Sequence, residues 1–246
     1  MRAEDVVKQP IVPLNAPAYP MRGHRFYDRE YFNVLYRTDP EALRAIVPEP
    51  LRIVEPLVRF EVMHMGDVGG FGPYTECGQV VEVEFEGERG EYLVAMYLDN
   101  IGATVSGREA GAWPKSMGAP RLFNEQGALV GTLDYGSQRV ATGTMRYKWE
   151  PMDFEEAKAS LSRPTYAVKT IPGHNATVLA IDLVRTEITD IEVKQAWRGP
   201  ARLDLVPHVM APLADLPVRE VIEGQHLVTD LNLRLFEPVH NYYPGA

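Results

Sequence analysis

The stretch VVEVEFEGERGEYLVAMYL, residues 80–98, sets Val81, Val83 and Phe85 in alternation with Glu82, Glu84 and Glu86. A period of two sends successive side chains to opposite faces, which gives a strand with an apolar side and a carboxylate side. Gly87 to Gly90 then turns the chain into a second apolar run, and the whole predicts an antiparallel hairpin. Its glutamates read as a solvated face and not as a metal site. GALVGTLDYGSQRVATGTMRY (127–147) predicts a second hairpin with Asp134 to Ser137 as its turn, and ATVLAIDLVRTEITDIEVKQAW (176–197) adds further β-branched runs. Twenty prolines and twenty glycines are spread along the chain instead of pooled in a linker, as many short elements joined by turns require.

Helices are expected to be few and short. Asp39 stands as a cap with Pro40 at the first position of EALRAIV, and Asp153 with Glu156 forms a capping-box pattern opening FEEAKASL. A third helix is expected from Ser106, with Glu109 three residues on, to about Trp113, because Pro114 disfavours helical geometry in the residue before it. Neither a repeat nor a domain boundary is visible. The expected fold is mainly β (α+β), a β-barrel or sandwich with a few peripheral helices, in one domain over residues 1–246.

Composition narrows the function classes. Of 246 residues, 45% are hydrophobic and 24% charged, the balance of a globular protein, and the formal net charge of −9 offers no basic stripe for a nucleic acid or an anionic membrane. Cys77 is the only cysteine, so no intrachain disulfide can form. MRAEDVVKQP lacks the pattern of a secretory signal, and no run approaches the roughly 18 apolar residues of a membrane span. A cytoplasmic protein is expected. His24, His64, His174, His208, His226 and His240 show no paired metal-ligand spacing, and GDVGGFG (66–72) reads as a loop near a pocket mouth, not a phosphate cradle. Cys77 reads as a small core residue.

The chain holds six lysines against nineteen arginines, and Lys115 lies in an otherwise uncharged run from Ala110 to Pro120. Arginine stays charged in any protein, whereas a desolvated lysine sheds its proton readily, so only lysine supplies an amine nucleophile near neutral pH. Two readings stand. In one, the aliphatic stem of Lys115 covers apolar surface while its ammonium reaches water. In the other, an apolar pocket lowers its pKa from roughly 10.4 by about four units, a cost to the ammonium of roughly 5 kcal/mol. A helix ending before Pro114 with its carbonyls toward the amine would oppose that shift, so the lysine is expected to point away from that end.

Eight blocks in order carry a family resemblance: DREYFNVLYRTDPEALRAIVPEPL (28–51), EPLVRFEVM (55–63), YTECGQ (74–79), YLDNIGATVSGREAGAWPK (97–115), GTLDYG (131–136), RPTYAVKTIP (163–172), AWRGPARL (196–203) and HVMAPLADLPV (208–218). From about Pro13 to about Val239 the chain resembles the acetoacetate decarboxylases. The resemblance implies a cone-like antiparallel barrel with a flanking sheet, no metal or organic cofactor, and homo-oligomers. It implies a Schiff base on Lys115 in WPK, with Arg29, Glu61 and Glu76 as the other active-site polar residues. The implied reaction turns acetoacetate, or a close β-keto acid, into carbon dioxide and a methyl ketone.

Two positions beside the lysine depart from the family pattern. Trp113 stands where a tyrosine is common, and Ser116 where a second lysine is usual; both are expected at the substrate pocket. In this family the lysine is held to be activated by desolvation or by a cationic neighbour. If desolvation dominates, Ser116 leaves Lys115 active; if the neighbour dominates, the amine is mostly protonated at pH 7, and alternation along an extended segment, which sends adjacent residues to opposite sides, favours desolvation. Taken on their own, Glu61 and Glu76 also fit solvated strand positions and Arg29 a surface ion pair. The lysine equally serves an aldolase or dehydratase acting on pyruvate and aldehydes, and a barrel that only binds a small ligand needs no chemistry.

Overall fold

The computed structural model describes residues 1–20 and 25–243, so His24 lies outside the described residues. After a short helix α1 (Ala3–Val6), strand β1 (Arg25–Arg37), helix α2 (Pro40–Ile46), strand β2 (Arg52–Met65) and the two-residue β3 (Asp67–Val68) lead to the hairpin of β4 (Tyr74–Phe85) and β5 (Glu88–Leu98). Helix α3 (Ile101–Glu109) is followed by β6 (Lys115–Met117), β7 (Ala119–Glu125), β8 (Ala128–Tyr135), β9 (Gln138–Arg146) and the two-residue β10 (Glu150–Pro151). Helix α4 (Phe154–Leu161) precedes β11 (Thr165–Pro172), β12 (Val178–Thr186), β13 (Ile188–Gly199), β14 (Ala201–Leu205), β15 (Glu220–Leu233) and β16 (Glu237–Asn241).

The 80–98 hairpin forms as its alternation predicts, but its turn is tighter. Phe85 pairs with Glu88, leaving Glu86 and Gly87 as the two turn residues, both at positive φ (51° and 86°). That is the twist a two-residue hairpin needs. Gly90 instead lies inside β5, where a Cβ would stand 2.6 Å from the Pro164 carbonyl; it allows β11 to approach. The second hairpin turns between Tyr135 and Gln138, within the expected Asp134–Ser137.

The expectation of a mainly β chain with few short helices holds. Ten strands run β10-β13-β15-β1-β2-β4-β5-β11-β12-β16, with β3 on β1 and β6 on β5; a second sheet runs β14-β9-β8-β7. The first sheet is open in this order, from β10 to β16. Period-two alternation gives it two buried faces. Phe32, Val62, Cys77 and Tyr97 pack against Leu129, Leu133 and Met145 of the second sheet. Tyr31, Met63, Met96 and Leu98 pack on the other face with Ala103 of α3 and Ala157 of α4.

Helices α2 and α4 lie where their sequence signals place them. The Asp153 carboxylate accepts from the backbone N–H groups of Glu155 and Glu156, at 2.8 and 3.0 Å. Asp39 makes no capping bond; its two oxygens take the guanidinium of Arg219 instead. The third helix corrects its expectation. It starts five residues before Ser106, at Ile101, because the Asn100 side chain caps it by accepting from the Ala103 N–H at 2.9 Å.

Candidate active site

Strand β6 has three residues and pairs in parallel with β5, setting Lys115 beside Met96, Ser116 beside Tyr97 and Met117 beside Leu98. Met96 and Leu98 belong to the α3 side of the sheet and Tyr97 to the other, so Lys115 and Ser116 face opposite sides. Lys115 projects toward α3 and is 7% exposed. Ser116, expected at the pocket, is not part of the wall of the cavity that Lys115 lines, and a lysine there would start on the face away from the amine.

On the same face, β4 presents Glu76 opposite Met63 of β2 and Leu98 of β5. The Lys115 Nζ donates to Glu76 Oε1 at 3.1 Å, and both side chains are buried. Arg29, on β1, is stacked 4.7 Å from the Tyr31 ring and 5.3 Å from Phe26, and its Nη2 donates to the Met63 sulfur. It forms no ion pair within 4 Å among the described residues and reaches Glu76 and Glu61 only through space. Glu61 lies further along the sheet. Arg59 Nε donates to it at 3.2 Å while the rest of that guanidinium holds Glu91, and Glu61 lines a second cavity with Arg59, Tyr31 and Asn33.

Burial dominates the electrostatics. It pushes the Lys115 amine below its ordinary value; the charge and hydrogen bond of Glu76 push back, and Arg29 adds to the lowering. Burial alone would also lower Arg29, but Tyr31, Glu76 and Glu61 outweigh it and hold the guanidinium above its usual value. The Glu61 carboxyl is raised by burial and by Glu91, against the opposing charges of Arg59 and Arg29. Burial raises the Tyr74 hydroxyl well above its ordinary value, so it stays protonated. Cys77 is fully buried on the opposite face and its thiol is raised too, as suits a core residue.

The cavity over Lys115 measures about 370 Å³, within the range of small-molecule pockets. Its wall is mostly apolar, with Phe26, Phe71, Trp113, Leu235 and Phe236 contributing. The loop 66–72 supplies Phe71, in line with the expected position near a pocket mouth. Trp113 stands edge-on to Phe236, with centroids 4.8 Å apart, and its ring lies 6.0 Å from the Lys115 ammonium. Among the described residues no group of three or more His, Cys, Asp or Glu is placed to hold a metal ion.

Sequence reading missed Gly107. A Cβ there would lie 2.5 Å from Lys115 Cδ and 3.0 Å from Cε, so the missing side chain is the space that the lysine stem fills. The expectation that Lys115 points away from the helix end is therefore overturned, because Gly107 belongs to the last turn of α3. Glycine in a helix interior costs roughly 0.5–1 kcal/mol against alanine, and a close approach is what it permits. The glycine in SGREAG was the available signal.

A desolvated amine touching a carboxylate, on the wall of a small apolar cavity, is an arrangement in which a lysine can react with a small carbonyl compound. The chain belongs to the acetoacetate decarboxylase family: the family model Acetoacetate decarboxylase (ADC) matches residues 10–243. It is 57% identical over 242 residues to the acetoacetate decarboxylase of Streptomyces nogalater, covering 98% of this chain and 99% of that one. It superposes on a solved acetoacetate decarboxylase with a TM-score of 0.96 at 50% identity, over 98% of this chain and 99% of the other. The acetoacetate decarboxylase of Legionella pneumophila gives 0.91 at 40% identity, over 96% of each chain. The resemblance read from the eight blocks holds over nearly the whole chain.

Proposed function

We propose that the protein decarboxylates acetoacetate, or a close β-keto acid, through an iminium on Lys115. The neutral amine attacks the ketone carbon and the carbinolamine loses water to give a protonated Schiff base. The bond to the carboxylate carbon then breaks, its electron pair moves toward the iminium nitrogen, and carbon dioxide leaves an enamine. The enamine takes a proton on carbon, and water hydrolyses the resulting imine to release the methyl ketone, acetone from acetoacetate. The iminium is itself the electron sink, so the scheme calls for no cofactor.

The contact of 3.1 Å between Lys115 Nζ and Glu76 Oε1 carries the reading, since the amine needs a partner within reach to take and return protons. Glu76 is assigned that role. Arg29 is assigned the part of a buried positive charge that favours the charged form of Glu61 and disfavours the ammonium of Lys115. Glu61, anchored by Arg59, supports Glu76 at a distance or opposes the substrate carboxylate. Trp113 closes the apolar wall over the reacting carbon. Carbon dioxide release from acetoacetate at pH 6 to 7, against Lys115→Ala, tests the assignment: release lost in the variant is expected, and release no faster than the variant's overturns it. Aldolase or dehydratase chemistry and plain ligand binding draw on the same lysine, with no observation favouring either.

The working unit is read as one domain over 1–246, its larger sheet curling into the cone-like barrel that the family resemblance implies. Homo-oligomers are supported by exposed apolar side chains such as Val209 and Leu235. The net charge of −9 argues against nucleic-acid and anionic-membrane partners. No helix among the described residues is long and apolar enough to cross a membrane. Together with a single buried, free cysteine, this supports a cytoplasmic setting.

A further inference from the structure

The last turn of α3 abuts the stem of Lys115, and its free carbonyls would ordinarily place a partial negative charge beside the amine. A second lysine meets them. The ammonium of Lys169, on β11, donates to the carbonyls of Arg108 and Glu109, each at 2.7 Å, and to that of Gly111. Three donors thus meet three acceptors, from a strand some sixty residues further along the chain. The same corner is tied to Lys115 from the other side: Arg108 Nη1 donates to the Lys115 carbonyl at 2.9 Å, and the Trp113 N–H donates to the Gly107 carbonyl at 3.0 Å. Ala110 and Gly111 line the cavity, so the capped end is also its wall.

We propose that Lys169 is a positioning residue for Lys115: it neutralises the negative end of α3 where that helix meets the lysine stem, and it pins the turn that delivers Lys115 to the cavity. The inference rests on the reading of Lys115 as a reactive amine. Lys169 does not line the cavity and acts through the helix end. The other charged and titratable groups around the pair are Glu76 and Tyr74 on β4, Arg29 on β1, Glu61 on β2, Arg108 and Glu109 on α3, and Asp182, which is paired with Lys169 on β12. Among the described residues only Lys169 has its charge bound to these helix-end carbonyls. With that charge removed, the helix end favours the ammonium of Lys115, and the free amine becomes scarcer at a given pH.

The test is the pH dependence of acylation of Lys115 by a small activated ester, followed by mass spectrometry in full-length wild type, Lys169→Met, Lys169→Gln and Lys169→Arg. Loss of the charge should move the acidic limb of this titration up by about 0.2–0.7 pH units, the span that follows from a helix-end charge. In acetoacetate turnover, kcat should fall on the acidic side and recover as pH is raised, with little change in KM. Lys169→Arg, which keeps the charge, should leave the limb near that of wild type. Lys169→Gln keeps an amide donor and serves where Lys169→Met does not fold. A lowered Tm with an unmoved limb, or an equal shift in Lys169→Arg, overturns the proposal. Because acylation reads the amine without turnover, failure of wild type to decarboxylate acetoacetate sinks the proposed reaction and not this inference.

Discussion

At Lys115 two influences of opposite sign act on one amine, and they predict opposite displacements. Glu76 favours the ammonium and Arg29 disfavours it, while burial sets the net direction downward. Glu76→Gln removes the first, so the acidic limb of Lys115 acylation should move to lower pH; Arg29→Met removes the second, so the limb should move to higher pH. The same ester titration reads both, and a limb unmoved in both variants would show that neither charge reaches the amine. The depressed value also sets a stability trend. Between it and the ordinary 10.5 the unfolded chain holds the proton that the native amine lacks, so this group's contribution to stability rises with pH across that window.

Helix α3 is the element on which the site depends, because Gly107 offers the lysine a place to lie. Gly107→Ala sets a methyl 2.5 Å from the Lys115 Cδ and must displace the stem. Misplacing a reacting group by about 1 Å can cost a hundredfold, so kcat/KM should fall about 10- to 100-fold. The gain in helix propensity offsets part of the crowding, and Tm should change by only a few degrees. Unchanged kcat/KM with a lowered Tm would mean that the lysine simply adjusts.

The start of this helix was not legible in the sequence. Gly102, Gly107 and the β-branched Thr104 and Val105 make a weak helical signal, and Asn100 reads as a loop residue until its side chain is seen to cap. The hairpins were legible because Val81, Val83 and Phe85 alternate with glutamates over a turn that needs glycine. Lys115 stood out by its uncharged surroundings. Glu76, Glu61 and Arg29 did not, since alternating strands also carry carboxylates to water, and only the family blocks singled them out. Lys169 was invisible for a different reason: its partners are backbone carbonyls, which any residue possesses.

Across the whole molecule, the larger sheet separates two cores, one built for packing and one holding the site. The second sheet approaches the first closely through glycine. A Cβ on Gly131 would lie 2.6 Å from the Phe32 ring and 2.8 Å from Val62. Gly131→Ala should therefore destabilise by about 1–3 kcal/mol through overpacking, lowering Tm by roughly 2–4 °C per kcal/mol. Turnover at 25 °C should stay near wild type, because the strain falls on the face opposite Lys115; a large loss of kcat without loss of Tm would show that the two faces are coupled.

Strand β4 lies between these cores, and Tyr74 through Val81 are all buried. Eight consecutive positions thus have no solvent-facing side on which neutral changes could accumulate. Inherited variation in this protein should thin out sharply there. An engineer seeking tolerance would work on the hairpin ends, where Arg89 and Glu125 face outward.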